Sequence, residues 1–438
     1  MRMLAFRRPE LLLFAALMVF ALVVGLRSFR SAPAPVTTEQ RAAPAPQTLS
    51  SEQVINTLKA QVRDNPDNAA AYAQLGLALL QRVRESADVG LYAQAGQALD
   101  AAVKHDPKNV DALVGQGTLA LARHKFADAL AWGEKARAIN PYHAAIYGVI
   151  GDAYTELGRY DEAATAIDKM VQTRPDLSSY SRVAYQRELR GDVAGAAQAL
   201  KLAISAGGPA TENTAWTKVQ LGNLAFGAGS LAEAEQIYAD ALASSPENAY
   251  AAAGLARVRA AHGDLAAATT AYEQIVQRLP MPEFVITLGD LYTLTGHADQ
   301  ARKQYNLVRA IEQLNTNAGV DVDLELALFD ADHGGDQAKT VARARESYAR
   351  RPSVNGADAL AWALYRAGSF EEAARYSKIA LRLGTHDAAM HYRAGMIAHA
   401  LGDDTTARTY LRSALDTNPN FSLLYAGEAR AQLARLKG

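Results

Sequence analysis

The residues most able to do chemistry lie together between Asp321 and Asp336, where Asp321, Asp323, Glu325, Asp330, Asp332, His333 and Asp336 crowd around Gly334 and Gly335. Runs of carboxylates bind calcium when their spacing brings each oxygen to one ion. A calcium-loop register starting at Asp330 puts Gly334 where a ligand is needed and Val341 where the closing glutamate belongs, so that register fails. The run reads instead as a solvated linker between structural units. A weak cation site, or a metal-dependent enzyme built on this loop, is its rival. His391 and His399 stand eight apart, two turns along one helix face, which suits a groove or surface better than a metal pair. The absence of cysteine removes disulfides, thiolate catalysis and cysteine zinc sites together. No nucleophile elbow, phosphate-binding glycine loop or HExxH pattern occurs. The chain is therefore expected not to be an enzyme and to need no cofactor or metal.

A different regularity positions these residues. Ala95, Ala129, Ala163, Ala196, Ala234, Ala268, Ala301, Thr340, Ala373 and Ala407 follow one another at steps of 34, 34, 33, 38, 34, 33, 39, 33 and 34 residues. Self-similarity at such a period marks a chain built by stacking one supersecondary unit. A small residue (Gly117, Gly151, Ala184, Gly222, Ala256, Gly289) precedes the alanine by twelve, where it lets two helices approach closely. A proline (Pro107, Pro141, Pro175, Pro246, Pro280, Pro352, Pro419) follows it by twelve, where a helix cannot continue. A glycine (Gly158, Gly191, Gly229, Gly263, Gly296, Gly368, Gly402) closes the first helix of a unit.

The stretch Ala144 to Pro175, AAIYGVIGDAYTELGRYDEAATAIDKMVQTRP, closely resembles the tetratricopeptide repeat, and residues 69 to 420 parse as about ten such units. The resemblance implies an all-α, right-handed superhelical solenoid of helix-turn-helix repeats in which each repeat touches only its neighbours. Two units depart from the pattern. The first carries about seven extra residues near Arg82 to Gly90, and the unit around Thr340 is degenerate.

With 45 basic and 46 acidic residues intermixed along 438, no chain-wide field attracts nucleic acid. At the front, Arg2, Arg7 and Arg8 precede sixteen uncharged, mainly apolar residues from Leu11 to Leu26, and Arg27 and Arg30 follow. As a helix this run spans about 24 Å, short of a ~30 Å hydrocarbon core yet long for a signal peptide. Small-x-small cleavage sites occur at Ala32-Pro33-Ala34 and Ala43-Pro44-Ala45, but Pro35 and Pro46 follow them and obstruct cleavage. Residues 1–30 therefore read as a hydrophobic membrane-anchoring helix, with the basic front cytoplasmic and the repeats outside the cytoplasm. A secreted or periplasmic product after cleavage is the alternative. Residues 31–50, rich in Ala-Pro pairs, read as a semi-extended tether, and 51–438 as the solenoid with terminal capping helices. The first cap runs from about Ser51 to Asp64, and the last spans Leu423 to Leu436.

The family resemblance places the first helix of each unit on the concave face. Its ninth positions are Thr118, Asp152, Tyr185, Asn223, Arg257, Asp290, Phe329, Trp362 and Met396. The candidate groove therefore has a polar middle, Tyr185, Asn223, Arg257 and Asp290, and an apolar end built from Trp362, Tyr365, Tyr392 and Met396. Some members of the family clamp a free C-terminal carboxylate with a lysine and an asparagine. Asn223 matches the asparagine, but Val219 stands where the lysine is needed and the next repeat offers Tyr250 and Gly254, so that clamp is incomplete. The expected role is a non-enzymatic scaffold that binds a protein or peptide partner along the groove. The resemblance to bacterial membrane-anchored repeat proteins adds a rival, a dedicated assembly factor for cytochrome c maturation or polysaccharide export.

If residues 1–30 anchor the chain, the mature protein should keep Met1 and pellet with membranes. N-terminal sequencing that begins near Ala32 or Ala45 would overturn the anchor.

Overall fold

The computed structural model describes residues 50–208 and 212–436, and these are helical throughout, with no strand among them. A single helix, α1 (Ser51–Asp64), leads into ten antiparallel hairpins. The first three pair α2 (Ala69–Ser86) with α3 (Leu91–His105), α4 (Val110–Ala122) with α5 (Phe126–Ile139), and α6 (Ala144–Glu156) with α7 (Tyr160–Thr173). Next come α8 (Leu177–Leu189) with α9 (Val193–Ala206), α10 (Glu212–Gly227) with α11 (Leu231–Ser244), and α12 (Ala249–Ala261) with α13 (Leu265–Arg278). The last four are α14 (Pro282–Leu294) with α15 (Ala298–Asn317), α16 (Asp323–His333) with α17 (Gln337–Arg350), α18 (Val354–Arg366) with α19 (Phe370–Ala380), and α20 (Ala388–Ala400) with α21 (Asp404–Thr417). A closing helix, α22 (Ala426–Arg435), follows. It starts three residues later than the sequence suggests, so Leu423 and Leu424 lie in the segment leading into it. The apolar run Leu11–Leu26 and the tether lie outside the described residues. No helix among the described residues is long and apolar enough to cross a membrane.

Local chemistry starts and stops these helices. Asn68, Asn109 and Asn248 cap α2, α4 and α12 by accepting the backbone N–H three residues on, and Asp192, Asp264 and Asp403 do the same for α9, α13 and α21. The turn inside each hairpin needs a left-handed residue, supplied by Gly158 (φ 70°), Gly191 (φ 82°) and their counterparts. His124 occupies that place between α4 and α5 at φ 58°. Its ring Nδ1 lies 2.6 Å from the carbonyl oxygen of Asp321, which can only accept, so Nδ1 carries the proton.

The repeated alanines are the closest point of each hairpin. From Ala95 to Ala407, with Thr340 in the eighth place, none is more than 4% exposed. A Cβ added at Gly117 would stand 2.6 Å from Val149 Cγ1 and 3.5 Å from the carbonyl oxygen of Ala129. At Gly151 it would stand 2.8 Å from Ile167 Cγ1. The small residue and the alanine thus face each other across the hairpin, as their twelve-residue spacing requires.

One expectation is corrected. The repeats touch more than their neighbours, because successive turns of the superhelix meet along a seam. The Tyr160 hydroxyl accepts from the Val354 N–H at 2.7 Å, Thr385 donates to the Leu189 carbonyl, and Asn418 Nδ2 donates to the Phe226 carbonyl at 3.2 Å. With His124 and Asp321, these partners stand 192 to 197 residues apart, which is between five and six repeats. At the middle of the seam Arg351, 4% exposed, donates through Nε to Glu156 at 2.6 Å and through Nη1 to Glu325 at 3.2 Å. The guanidinium also lies 5.2 Å from the Phe126 ring centre.

Removing Arg351 strands two buried carboxylates. Arg351→Ala should cost about 3–5 kcal/mol, and amide exchange should rise together around 156–160 and 351–355. Loss of protection confined to the neighbourhood of residue 351 would show that the seam carries no stability.

Candidate functional site

The structure separates the residues that the repeat phase grouped into one groove. Asn223 and Arg257 line an open cavity. Tyr185 goes to the seam, packed with Tyr160, Leu189 and Val354, and its hydroxyl accepts from Asn355 Nδ2 at 3.4 Å. Asp290, 4% exposed, accepts from Tyr305 at 2.9 Å and from His333 Nε2 at 2.8 Å. Burial works against the His333 imidazolium, yet the hydrogen bond and charge of Asp290 hold its pKa above the usual range. The apolar end is core rather than surface. Trp362 and Tyr392 are each 1% exposed and Met396 is 7% exposed. Trp362 stacks on Tyr365 at 4.8 Å and donates its indole N–H to Asp332 at 2.7 Å. α22 and the segment before it cover this cluster: Tyr425 donates to Asp332 at 2.9 Å and Tyr392 donates to Glu428 at 2.9 Å.

The acidic run is also placed differently from a solvated linker. Most of it forms α16, and arginines neutralise its carboxylates. Arg350 binds Asp321 at 2.7 Å and Asp323 at 2.5 Å, while Arg309 and Arg343 hold Asp330 at 2.8 and 2.6 Å. Asp336 caps α17. No group of three or more His, Asp or Glu among the described residues is placed to hold a metal. His391 contacts Ser413 and His399 contacts Asp404, so the two histidines do different work. Burial lowers the His391 pKa to about 4.

Two adjoining cavities occupy the space the superhelix encloses. The first, about 410 Å3, is framed by α10, α12, α14 and residues 420–427. Its wall carries an aromatic ladder from three successive first helices: Trp216 meets Tyr250 edge-on at 4.8 Å, and Tyr250 meets Phe284 at 5.2 Å. Arg257 is fixed beside it. Its Nη2 donates to Asn223 Oδ1 and to the Tyr238 hydroxyl, each at 2.8 Å, and the guanidinium covers the Phe226 ring at 4.1 Å. Its Nε has no hydrogen-bond partner, and it forms no ion pair among the described residues. The ladder was readable in the sequence, since Trp216, Tyr250 and Phe284 stand at one repeat phase 34 residues apart.

The second cavity, about 360 Å3, shares Trp216, Tyr250 and Glu283 with the first. Leu80, Val83, Ile311 and Leu314 give it an apolar lining, and Glu283, Glu312 and Glu325 add three carboxyl groups. Burial pushes the Glu283 carboxyl up to about 7. Burial also pushes Glu312 up to about 8, with the Glu325 and Glu283 charges adding to the effect and the Asn315 side chain offsetting part of it.

A family model described as Tetratricopeptide repeat matches residues 120–184 and 225–284, and a second of the same description matches 83–144 and 359–420. Together they span just over half of the chain. The peroxisomal targeting signal receptor of Komagataella phaffii is 32% identical over 126 residues, 28% of this chain and 20% of that receptor, so the chain spans about a fifth of this relative's length. The tetratricopeptide repeat protein of Parabacteroides merdae is 16% identical, over 55% of this chain and 96% of its own, with a TM-score of 0.41. The human IFIT1 dimer with PPP-AAAA is 14% identical, over 83% and 86%, with a TM-score of 0.46.

The shifted glutamate sets a pH dependence. Below pH 4.5, the ordinary value, folded and unfolded chains both hold the Glu312 proton; between there and about 8 only the folded chain does, so stability falls across that window. Glu312→Gln keeps a neutral group in place. It should change stability little at pH 5 and raise it by about 3–5 kcal/mol at pH 8.5. Urea unfolding of both proteins at both pH values reads this, and a difference independent of pH would remove the assignment.

Proposed function

We propose that this chain, a member of the tetratricopeptide repeat family, is a non-enzymatic scaffold that holds a segment of a partner protein in the cavity framed by α10, α12 and α14. The observation that carries the reading is the Trp216–Tyr250–Phe284 ladder beside a guanidinium that already has its orientation but no carboxylate. Aromatic walls supply buried area at small entropic cost, and a pre-oriented arginine loses little freedom on meeting an acidic group. The fitting occupant is an extended peptide with an apolar residue against the ladder and a carboxylate against Arg257. A targeting signal receptor among the proteins similar to part of this chain supports a peptide ligand. The anchor reading complements it: the apolar run from Leu11 to Leu26 would hold the scaffold at a membrane, with Arg2, Arg7 and Arg8 on the cytoplasmic side.

Photo-crosslinkers tell this cavity from the outer helices. At Gln220 or Thr287, which line the cavity, a crosslinker should capture the partner; at exposed Lys169 on α7 it should not. Trp216→Ala should weaken the captured partner by about 2 kcal/mol, and Arg257→Ala should weaken it with a loss that shrinks as salt rises. Capture at Lys169 with none at Gln220 or Thr287 would move the working surface to the convex side.

A further inference from the structure

We propose that the second cavity is a binding site for an organic cation, an ammonium group carried on an apolar body, whose charge is held between Glu312 and Glu325. This stands apart from the peptide reading of the first cavity, although the two share a wall.

The cavity is assembled from the places where the repeat departs from its period. The extra residues of the first unit lengthen α2 to Ser86, and that extension supplies Val83, Arg84 and Ala87 to the wall. Glu212 and Trp216 lie within the 38-residue step between Ala196 and Ala234. The 39-residue step between Ala301 and Thr340 lengthens α15 to Asn317, and this extension with the linker after it supplies Ile311, Glu312, Leu314 and Val322. Insertions in repeat proteins commonly gather on one face, often the binding face. Here three that are far apart in sequence converge on one cavity.

Its carboxyl groups are incompletely partnered. Glu312 is 4% and Glu325 9% exposed, and Oε2 of each has no hydrogen-bond partner. The nearby cations are already engaged. Arg84 pairs with Glu212 at 2.9 Å, Arg351 is shared between Glu156 and Glu325, and His124 commits Nδ1–H to the Asp321 carbonyl. Glu283 and Glu312 form no ion pair among the described residues. Tyr92 and Tyr250, the remaining titratable groups on the wall, have their pKa values raised by burial, Tyr92 to about 12, and stay neutral.

That arrangement selects its ligand. An anion is repelled, and a neutral molecule leaves the carboxylate oxygens without donors. A metal ion needs a set of oxygens that the described residues do not gather. An ammonium group brings N–H donors for both Oε2 atoms, and its apolar body replaces water against Leu80, Val83 and Ile311. Trp216 and Tyr250 on the wall are residue types that attract a cation. Leu314, 60% exposed, stands where the cavity meets solvent. A volume of about 360 Å3 suits a small molecule or one side chain with its flanks. The source of the ammonium is a free amine or a lysine of a partner segment.

Calorimetric titration of the full chain at pH 8.5, above the Glu312 value of about 8, with 4-phenylbutylammonium, 4-phenylbutanol, 4-phenylbutyrate and Ac-Leu-Lys-Leu-NH2 tests the site. The ammonium or the lysyl peptide should bind at least about tenfold more tightly than the alcohol, and the butyrate should show no binding. Tighter binding of phenylbutylammonium than of the peptide assigns a free amine; the reverse assigns a partner's lysine. Glu312→Gln, with its thermal midpoint recorded to show that it folds, should lose about tenfold of that affinity. The proposal is overturned if neither cation binds, if the alcohol binds as well as the ammonium, or if a folded Glu312→Gln binds both cations unchanged. The charge series on the unmodified chain decides the matter even if the variant does not fold.

Discussion

Little more than a methyl group fits where the two helices of each hairpin cross, and the rest of the architecture follows from that constraint. With glycine or alanine on one helix and the repeated alanine on the other, backbones approach until larger side chains interlock around them. Leu99, Val149 and Ile167 do this around Gly76, Gly117 and Gly151. A contact this short leaves the hairpin little freedom of angle, so each repeat rotates on the last by a nearly fixed amount. Nine such rotations carry the chain past one full turn of the superhelix, and between five and six repeats on, the chain returns against itself.

The return changes the kind of protein this is. An open solenoid is held by nearest-neighbour interfaces alone. Here Arg351 satisfies Glu156 from almost two hundred residues away, and Tyr160, Leu189 and Phe226 each find a backbone or side-chain partner on the following turn. A buried ion pair of this sort stabilises little over an apolar contact, but it punishes any misalignment that leaves one charge unpaired. The seam therefore acts more on register than on total stability. His124 belongs to the same logic: a histidine in a left-handed turn is costly by itself, and its hydrogen bond to Asp321 ties that turn to the seam.

Much of this was legible in the sequence, and the boundary of legibility is physical. The bounds of α1, the ten hairpins and the glycine turns depend on interactions within some forty residues, and the spacing of Ala163, Gly158, Gly151 and Pro175 reports them directly. What the phase gives is the face of a hairpin on which a residue stands. It does not give what covers that face. Trp362, Tyr392 and Met396 stand in concave positions and are buried, because α22 and the segment before it fold over them. The carboxylates from Asp321 to Asp330 look solvated until Arg309, Arg343 and Arg350 arrive from α15 and α17. The extra residues after Arg82 were visible as an irregularity, but their destination depends on closure of the superhelix, a property of all the repeats together. Trp216, Tyr250 and Phe284 are the opposite case: the signal was local and periodic, and it lay about two helical turns away from the positions chosen to define the groove.

The enclosed axis carries opposite charges on its two sides. Arg257, without a carboxylate, faces the first cavity, while Glu312 and Glu325 face the second, and the shared wall between them contains Glu283. Burial holds Glu283 near 7, where a small change in its surroundings decides whether it is charged. A cation placed in the second cavity favours the ionised form, and an ionised Glu283 disfavours an acidic group approaching Arg257. The same coupling must run in reverse, since the effect of one ligand on the affinity of another is reciprocal. Were both cavities filled as proposed, Glu283 on their common wall would couple the two occupants.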